Sequence, residues 1–206
     1  LHEHDYAAAD TLLDEMGLLN RPFVVLHPGS GGFSLARRWD PSKFAALAAE
    51  LRNHFALPSL LVGTPSDGAF EVLQANTMSP ATVPIADLSG RTSIKQLAAI
   101  LSRATLFVGA DSGVMHMAAA MQTPLVAIFG PTNHKAWAPW TPHSPSEIVR
   151  LGLPCSPCAY VGHHVGQRHG CAERTCLADL SVQQVLSTTK NVLEQAGARD
   201  QDSVLG

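Results

Sequence analysis

The residues best suited to chemistry in this chain gather in short glycine-rich stretches that directly follow apolar runs. The densest is Leu106 to Met121, LFVGADSGVMHMAAAM. It reads as a short apolar strand, a Gly-Ala-Asp-Ser-Gly turn and an Ala- and Met-rich helix. A strand that enters a helix through small, capping residues leaves backbone N–H groups unpaired at the carboxyl edge of a sheet, where anions bind. This stretch is the candidate active centre. Blander roles fit some of the same residues: Asp111 as a plain helix cap, His116 as a packed histidine, and Met115, Met117 and Met121 as core or seam.

Three further loops have the same placement. His27 to Gly32, HPGSGG, follows the apolar run Phe23–Leu26 and has the glycines that let a backbone approach a phosphate, although it is neither the Walker pattern nor GxGxxG. Gly63 to Asp67 follows Ser59–Val62, and Gly130 to Thr132 follows Pro124–Phe129. Arg37 and Arg38 stand just before a helix opened by Asp40 and Pro41, a position that suits forked recognition of phosphate oxygens and equally suits a solvated surface pair.

The elements that must position these loops alternate. Strands are expected at 23–26, 59–62, near 83–86, 106–108, 124–129 and near 147–151, and helices over 41–54, 67–76, 94–102 and the stretch after Ser112. Such alternation predicts an α/β fold, a Rossmann-like parallel sheet with helices on both faces and right-handed crossovers. Ligands of such sheets sit outside the carboxyl ends of the strands. Residues 1–20 read as a linker helix and 21–196 as the domain, closed by a helix from Val182 to Ala196. The polar tail 197–206 is expected to fray. Residues 133–145, with Trp137 and Trp140, suit a lid or a domain seam.

The bulk composition excludes several classes. The formal net charge of −3 gives no general attraction to nucleic acid, so an anion must be held by local chemistry. No apolar run approaches the roughly 20 residues needed to span a bilayer, and no basic-then-apolar leader opens the chain, so the expectation is a cytoplasmic protein without a transmembrane segment. All four cysteines, Cys155, Cys158, Cys171 and Cys176, fall in the loop-like region 154–176. The clustering suits a structural zinc site, with His163, His164 and His169 as competing ligands, and reduced thiols or disulfides also fit. In each case the cysteines pin a long loop rather than perform chemistry.

The ordered motifs resemble glycosyltransferase family 9, the bacterial heptosyltransferases of lipopolysaccharide core synthesis. They are HPGSGG at 27–32, RRW at 37–39, LLVGTPSD at 60–67, DLSGRTSIKQLAAIL at 87–101, FVGADSGVMHMAAAMQTPLVAIFGPT at 107–132, and the Cys-Ser-Pro-Cys loop at 155–158. The resemblance implies the C-terminal, donor-binding half of a GT-B enzyme that needs no catalytic metal and takes a nucleotide-diphospho-sugar such as ADP-heptose. On that resemblance Asp111 contacts the sugar, and Ser112, Gly113 and His116 complete the helix terminus under the diphosphate. Ser30 and Gly31 line the phosphate pocket, with Arg38 beside it. Arg37 replaces the family's lysine that neutralises the diphosphate and stabilises the leaving group, and Asp67 stands where a glutamate often meets the ribose. The acceptor is then a lipopolysaccharide core or related glycan, reached at the inner face of the inner membrane. The family's catalytic base lies in an N-terminal domain that has no counterpart upstream of the linker helix, so the base is expected from a missing domain or a partner chain. The alternative is a non-catalytic nucleotide-sugar-binding or regulatory module. A sugar-nucleotide epimerase of the other GT-B lineage is disfavoured by the order of the motifs.

Overall fold

The computed structural model describes residues 1–32, 34–161 and 164–205, with the side chains of 160, 161, 164, 165 and 199–205 left aside. Two of the candidate competing ligands in the cysteine loop, His163 and the His164 side chain, therefore lie outside the described residues.

Six strands, β1 (Val24–His27), β2 (Ser59–Leu61), β3 (Ile85–Asp87), β4 (Leu106–Ala110), β5 (Leu125–Ile128) and β6 (Ser146–Val149), form one sheet. Its order is β3-β2-β1-β4-β5-β6 and every pairing is parallel. Within the sheet the chain runs from β1 outward to β3, then returns to β4 on the other side of β1. This is the Rossmann order, and the switch lies between β1 and β4, where His27 pairs with Gly109.

Alternate residues of the central strands feed two separate cores. Val24, Leu26, Leu61, Val108, Val126 and Ile128 pack under α2 (Pro41–Phe55), α3 (Ala69–Thr77) and the C-terminal helix. Phe23, Val25, Leu60, Phe107, Leu125 and Ala127 pack under α1 (Glu3–Glu15), α4 (Ile94–Arg103) and α5 (Gly113–Ala120). Burial on both faces explains why these strands are continuously apolar rather than alternating with polar residues. The helices start where capping chemistry permits: Asp40 accepts the Ser42 N–H at 2.7 Å before Pro41, and Ser93 and Gln96 form a reciprocal capping box.

Several boundaries differ from the sequence expectation. The first helix is more than a linker, because Ala9 and Leu13 are buried against α4 and two ion pairs, Arg103 with Asp10 and Arg91 with Glu15, fasten it. Asp67 closes a short 3-10 turn that precedes α3 instead of opening the helix. The cysteine region includes a small antiparallel hairpin, β7 (Ala159–Val161) with β8 (His164–Gly166), and a helical turn α6 (Thr175–Ala178). The closing helix α7 (Val182–Leu205) passes Ala196 and Gly197 and takes in the expected frayed tail, which has no proline to stop it.

Candidate functional site

The loops leaving β1, β2 and β4, with the segment before α4, surround the N-terminus of α5 at the carboxyl edge of the sheet. The cap of α5 is Ser112 rather than Asp111: its Oγ accepts the Met115 N–H at 3.3 Å. This leaves the amides of the first turn without helical partners. Ser112 and Gly113 divide the space in front of the helix into two cavities. The larger, about 400 Å³, is lined by Gly31, Thr64, Asp67, Ser93 and Met117, among others. The smaller, about 220 Å³, lies between Arg37, Asp111, His116 and Trp137.

Arg37 ties the β1 and β4 loops together. Its Nη2 donates to the Ser30 carbonyl at 2.6 Å and its Nη1 to the Asp111 carbonyl at 2.9 Å, and Nη1 also stands 3.5 Å from the Asp111 carboxylate. Both side chains are largely buried, so they form a partly desolvated ion pair at the wall of the smaller cavity. His116 is exposed at the close of the first turn of the helix and is not a packed core histidine. Met115 is fully buried, as a core residue.

Arg38 is no solvated surface residue. It reaches Asp67 Oδ1 at 3.3 Å and the Ser30 hydroxyl at 3.4 Å, and lines a separate cleft of about 410 Å³ on the far side of the Asp67 carboxylate. Ser30 itself is 2% exposed and donates its hydroxyl to the Ser34 carbonyl at 2.7 Å, which shapes the loop from within. Asp67 is buried at the wall between the larger cavity and this cleft, and its Oδ2 accepts both the N–H and the hydroxyl of Thr64 at 2.8 Å. The adjacent His27 imidazole and then the Thr64 donors hold Asp67 well below the usual carboxylate range, against the opposing effect of burial.

Glycines make this packing possible. A Cβ on Gly29 would lie 2.2 Å from Asp67 Cγ, and one on Gly63 would lie 3.0 Å from both Asp67 Oδ2 and His27 Cδ2. Part of the HPGSGG loop is therefore glycine for the sake of a buried carboxylate, while Gly31, at a φ of +68° with open space around it, faces the cavity. Sequence reasoning named His27 only as the first residue of the HPGSGG loop, without a role for its side chain, and missed Ile94. A polar residue ending an otherwise apolar buried strand was the signal for the first; the exposed Ile94 gives no signal of its own.

The cysteine loop is stapled to the site. The Ser34 hydroxyl donates to the Arg168 carbonyl at 2.6 Å, Gly170 packs where a Cβ would meet Ala36 at 2.8 Å, and the Cys158 and Ala159 N–H groups both donate to Pro131 O at 2.8 Å. All four cysteines carry free thiols, and among the described residues no three His, Cys, Asp or Glu side chains converge to hold a metal ion. Burial, and then the nearby thiols, raise the Cys158 and Cys176 values.

The model of glycosyltransferase family 9 (heptosyltransferase) matches residues 1–167. Lipooligosaccharide heptosyltransferase 2 of Campylobacter jejuni is 30% identical over 181 residues, covering 85% of this chain and 52% of that protein. Among solved structures, ADP-heptose lps heptosyltransferase II of Escherichia coli superposes with a TM-score of 0.68 at 24% identity, over 95% of this chain and 53% of its own. A family 9 glycosyl transferase from Veillonella parvula does so with a TM-score of 0.71 at 21% identity, again over 95% and 53%. The chain thus spans about half the length of these relatives and shares its fold with about half of each structure. On the extent of that family match, the chain belongs to glycosyltransferase family 9, the heptosyltransferases.

Proposed function

We propose that the carboxyl edge of this sheet binds a nucleotide-diphospho-sugar, with ADP-heptose the favoured donor, for transfer to a lipopolysaccharide core or related glycan. One observation carries the reading: the N-terminus of α5 divides two adjoining cavities of unequal size. A diphosphate seated on the Gly113 and Val114 amides would send its nucleoside into the larger cavity, toward Thr64 and Asp67, and its sugar into the smaller, toward Asp111 and His116. The relatives' names, heptosyltransferase and ADP-heptose among them, support the choice of donor.

In an inverting transfer the acceptor oxygen forms a bond to the anomeric carbon while the bond to the β-phosphate oxygen breaks, and that electron pair goes to the departing diphosphate. Arg37 and the α5 amides answer the growing charge without a divalent ion. The acceptor's proton needs a base, which this reading assigns to a second domain or a partner chain. Zinc in the cysteine loop belongs to the same reading as a structural group only, and requires the four thiols to draw closer than they stand.

Titration calorimetry of ADP and ADP-sugars in the presence of EDTA tests the site. Binding is expected, and Asp111→Ala should weaken the ADP-sugar more than ADP, since its carboxylate faces the sugar cavity. Equal losses for both ligands overturn the Asp111 assignment, and no binding by the folded chain overturns the donor site. Binding of nucleotide sugars together with failure of transfer in the presence of the complete partner favours the regulatory-module alternative. Metal analysis with thiol titration of the purified chain decides the zinc assignment: bound zinc with protected thiols is expected, and four reactive thiols without metal refute it.

A further inference from the structure

His27 ends β1 at the switch point of the sheet and is 1% exposed, yet it lines the larger cavity. Its Nδ1 stands 3.3 Å from the Ser112 hydroxyl, the cap of α5. On the opposite edge of the ring, Nε2 has no hydrogen-bond partner and lies 3.7 Å from Asp67 Oδ2, too far for a hydrogen bond but near enough for a strong electrostatic preference. Gly63 lets the β2 loop pass close to the ring, where a Cβ would lie 3.0 Å from His27 Cδ2.

These distances select a tautomer. A carboxylate facing Nε2 favours the ring proton on that nitrogen and leaves Nδ1 as a bare lone pair. A bare Nδ1 accepts, so the Ser112 hydroxyl donates to it, and the Ser112 oxygen keeps its lone pairs for the Met115 N–H. Both bonds of the cap are then made inside the protein, and Gly113 and Val114 line the cavity in the first turn, where amide N–H groups lack partners within the helix.

This inference rests on the donor-site reading above. We propose that His27 is a positioning residue for the donor diphosphate: set by Asp67 as the Nε2–H tautomer, it receives the Ser112 hydroxyl proton and fixes the cap that presents the first amides of α5. It links the nucleoside side of the site, at Asp67, to the phosphate side, at Ser112, without touching the donor itself.

Two measurements test it. Long-range proton–nitrogen spectra of the unaltered protein should show His27 protonated at Nε2 and bare at Nδ1; the opposite tautomer overturns the proposal whatever the variants do. Calorimetry with ADP then follows the coupling in His27→Leu, His27→Asn, Ser112→Ala and the His27→Leu/Ser112→Ala pair. His27→Leu should lower ADP affinity about tenfold. His27→Asn, whose amide oxygen can replace Nδ1 as acceptor, should recover most of that loss. In the Ser112→Ala background His27→Leu should cost nothing more, since the route through the cap is already gone. Independent, additive losses, or an Asn variant as weak as the Leu variant, overturn the positioning role while leaving the donor site standing. Absence of ADP binding by the unaltered protein overturns the donor site itself, and the positioning role with it.

Discussion

Asp67 concentrates the electrostatics of the site in one buried carboxylate. The His27 edge, then the Thr64 N–H and hydroxyl, hold its value below the ordinary carboxylate range against the opposing effect of burial, and Arg38 pairs with its other oxygen. Because its folded value is depressed, the unfolded chain binds the extra proton on acidification. The stability it contributes is fully present above the ordinary carboxylate value, near pH 4, and is lost as pH falls toward the folded value. Chemical denaturation at about pH 6 and about pH 3 should therefore show a smaller acid loss in Asp67→Asn than in the unaltered protein. Equal losses would mean that Asp67 does not report through this linkage. Arg37 plays a different part: its bonds to two backbone carbonyls brace the loops of β1 and β4 against each other beside the smaller cavity.

At the level of elements, the site depends on loops that approach more closely than side chains allow. Gly29 is the sharpest case, since any Cβ there would overlap the Asp67 carboxylate. Gly29→Ala should displace Asp67 and break its bonds to Thr64 and Arg38. A destabilisation of about 2 kcal/mol or more is expected from the lost buried bonds, read as a lowered denaturation midpoint. A variant as stable as the parent would show that the β1 loop can shift freely. The cysteine loop completes this level: its contacts with Ser34 and Ala36 hold the segment that carries Arg37 from behind, and those with Pro131 fasten it to the loop after β5.

For the whole molecule, two cores on either side of one parallel sheet make the carboxyl edge a rigid platform. The first helix contributes to one of them. Leu13→Ala should cost about 2–5 kcal/mol, with a matching fall in melting temperature, because its side chain is 1% exposed among α4 residues. A cost under 1 kcal/mol would restore the reading of α1 as a mere linker. The parallel α/β sheet, the order of its strands in the chain and the gathering of the glycine-rich loops at its carboxyl edge were legible in the sequence, because apolar runs ending in glycine-rich turns record burial on both faces and abrupt termination. So was the family, through motifs kept in order. Loop motifs named Asp111, Ser112, Gly113 and His116, and the structure places them around one helix terminus. What the sequence could not show is which polar residues face the ligand space and which face each other. Arg38 and Ser30 turned inward, Ser112 rather than Asp111 became the cap, and His27 came to stand between Ser112 and Asp67. The two His27 contacts join residues 40 and 85 positions apart, across strands whose neighbours are chosen by the winding of the sheet. Local patterns encode where a strand stops, and only the packed sheet decides what waits opposite its last side chain.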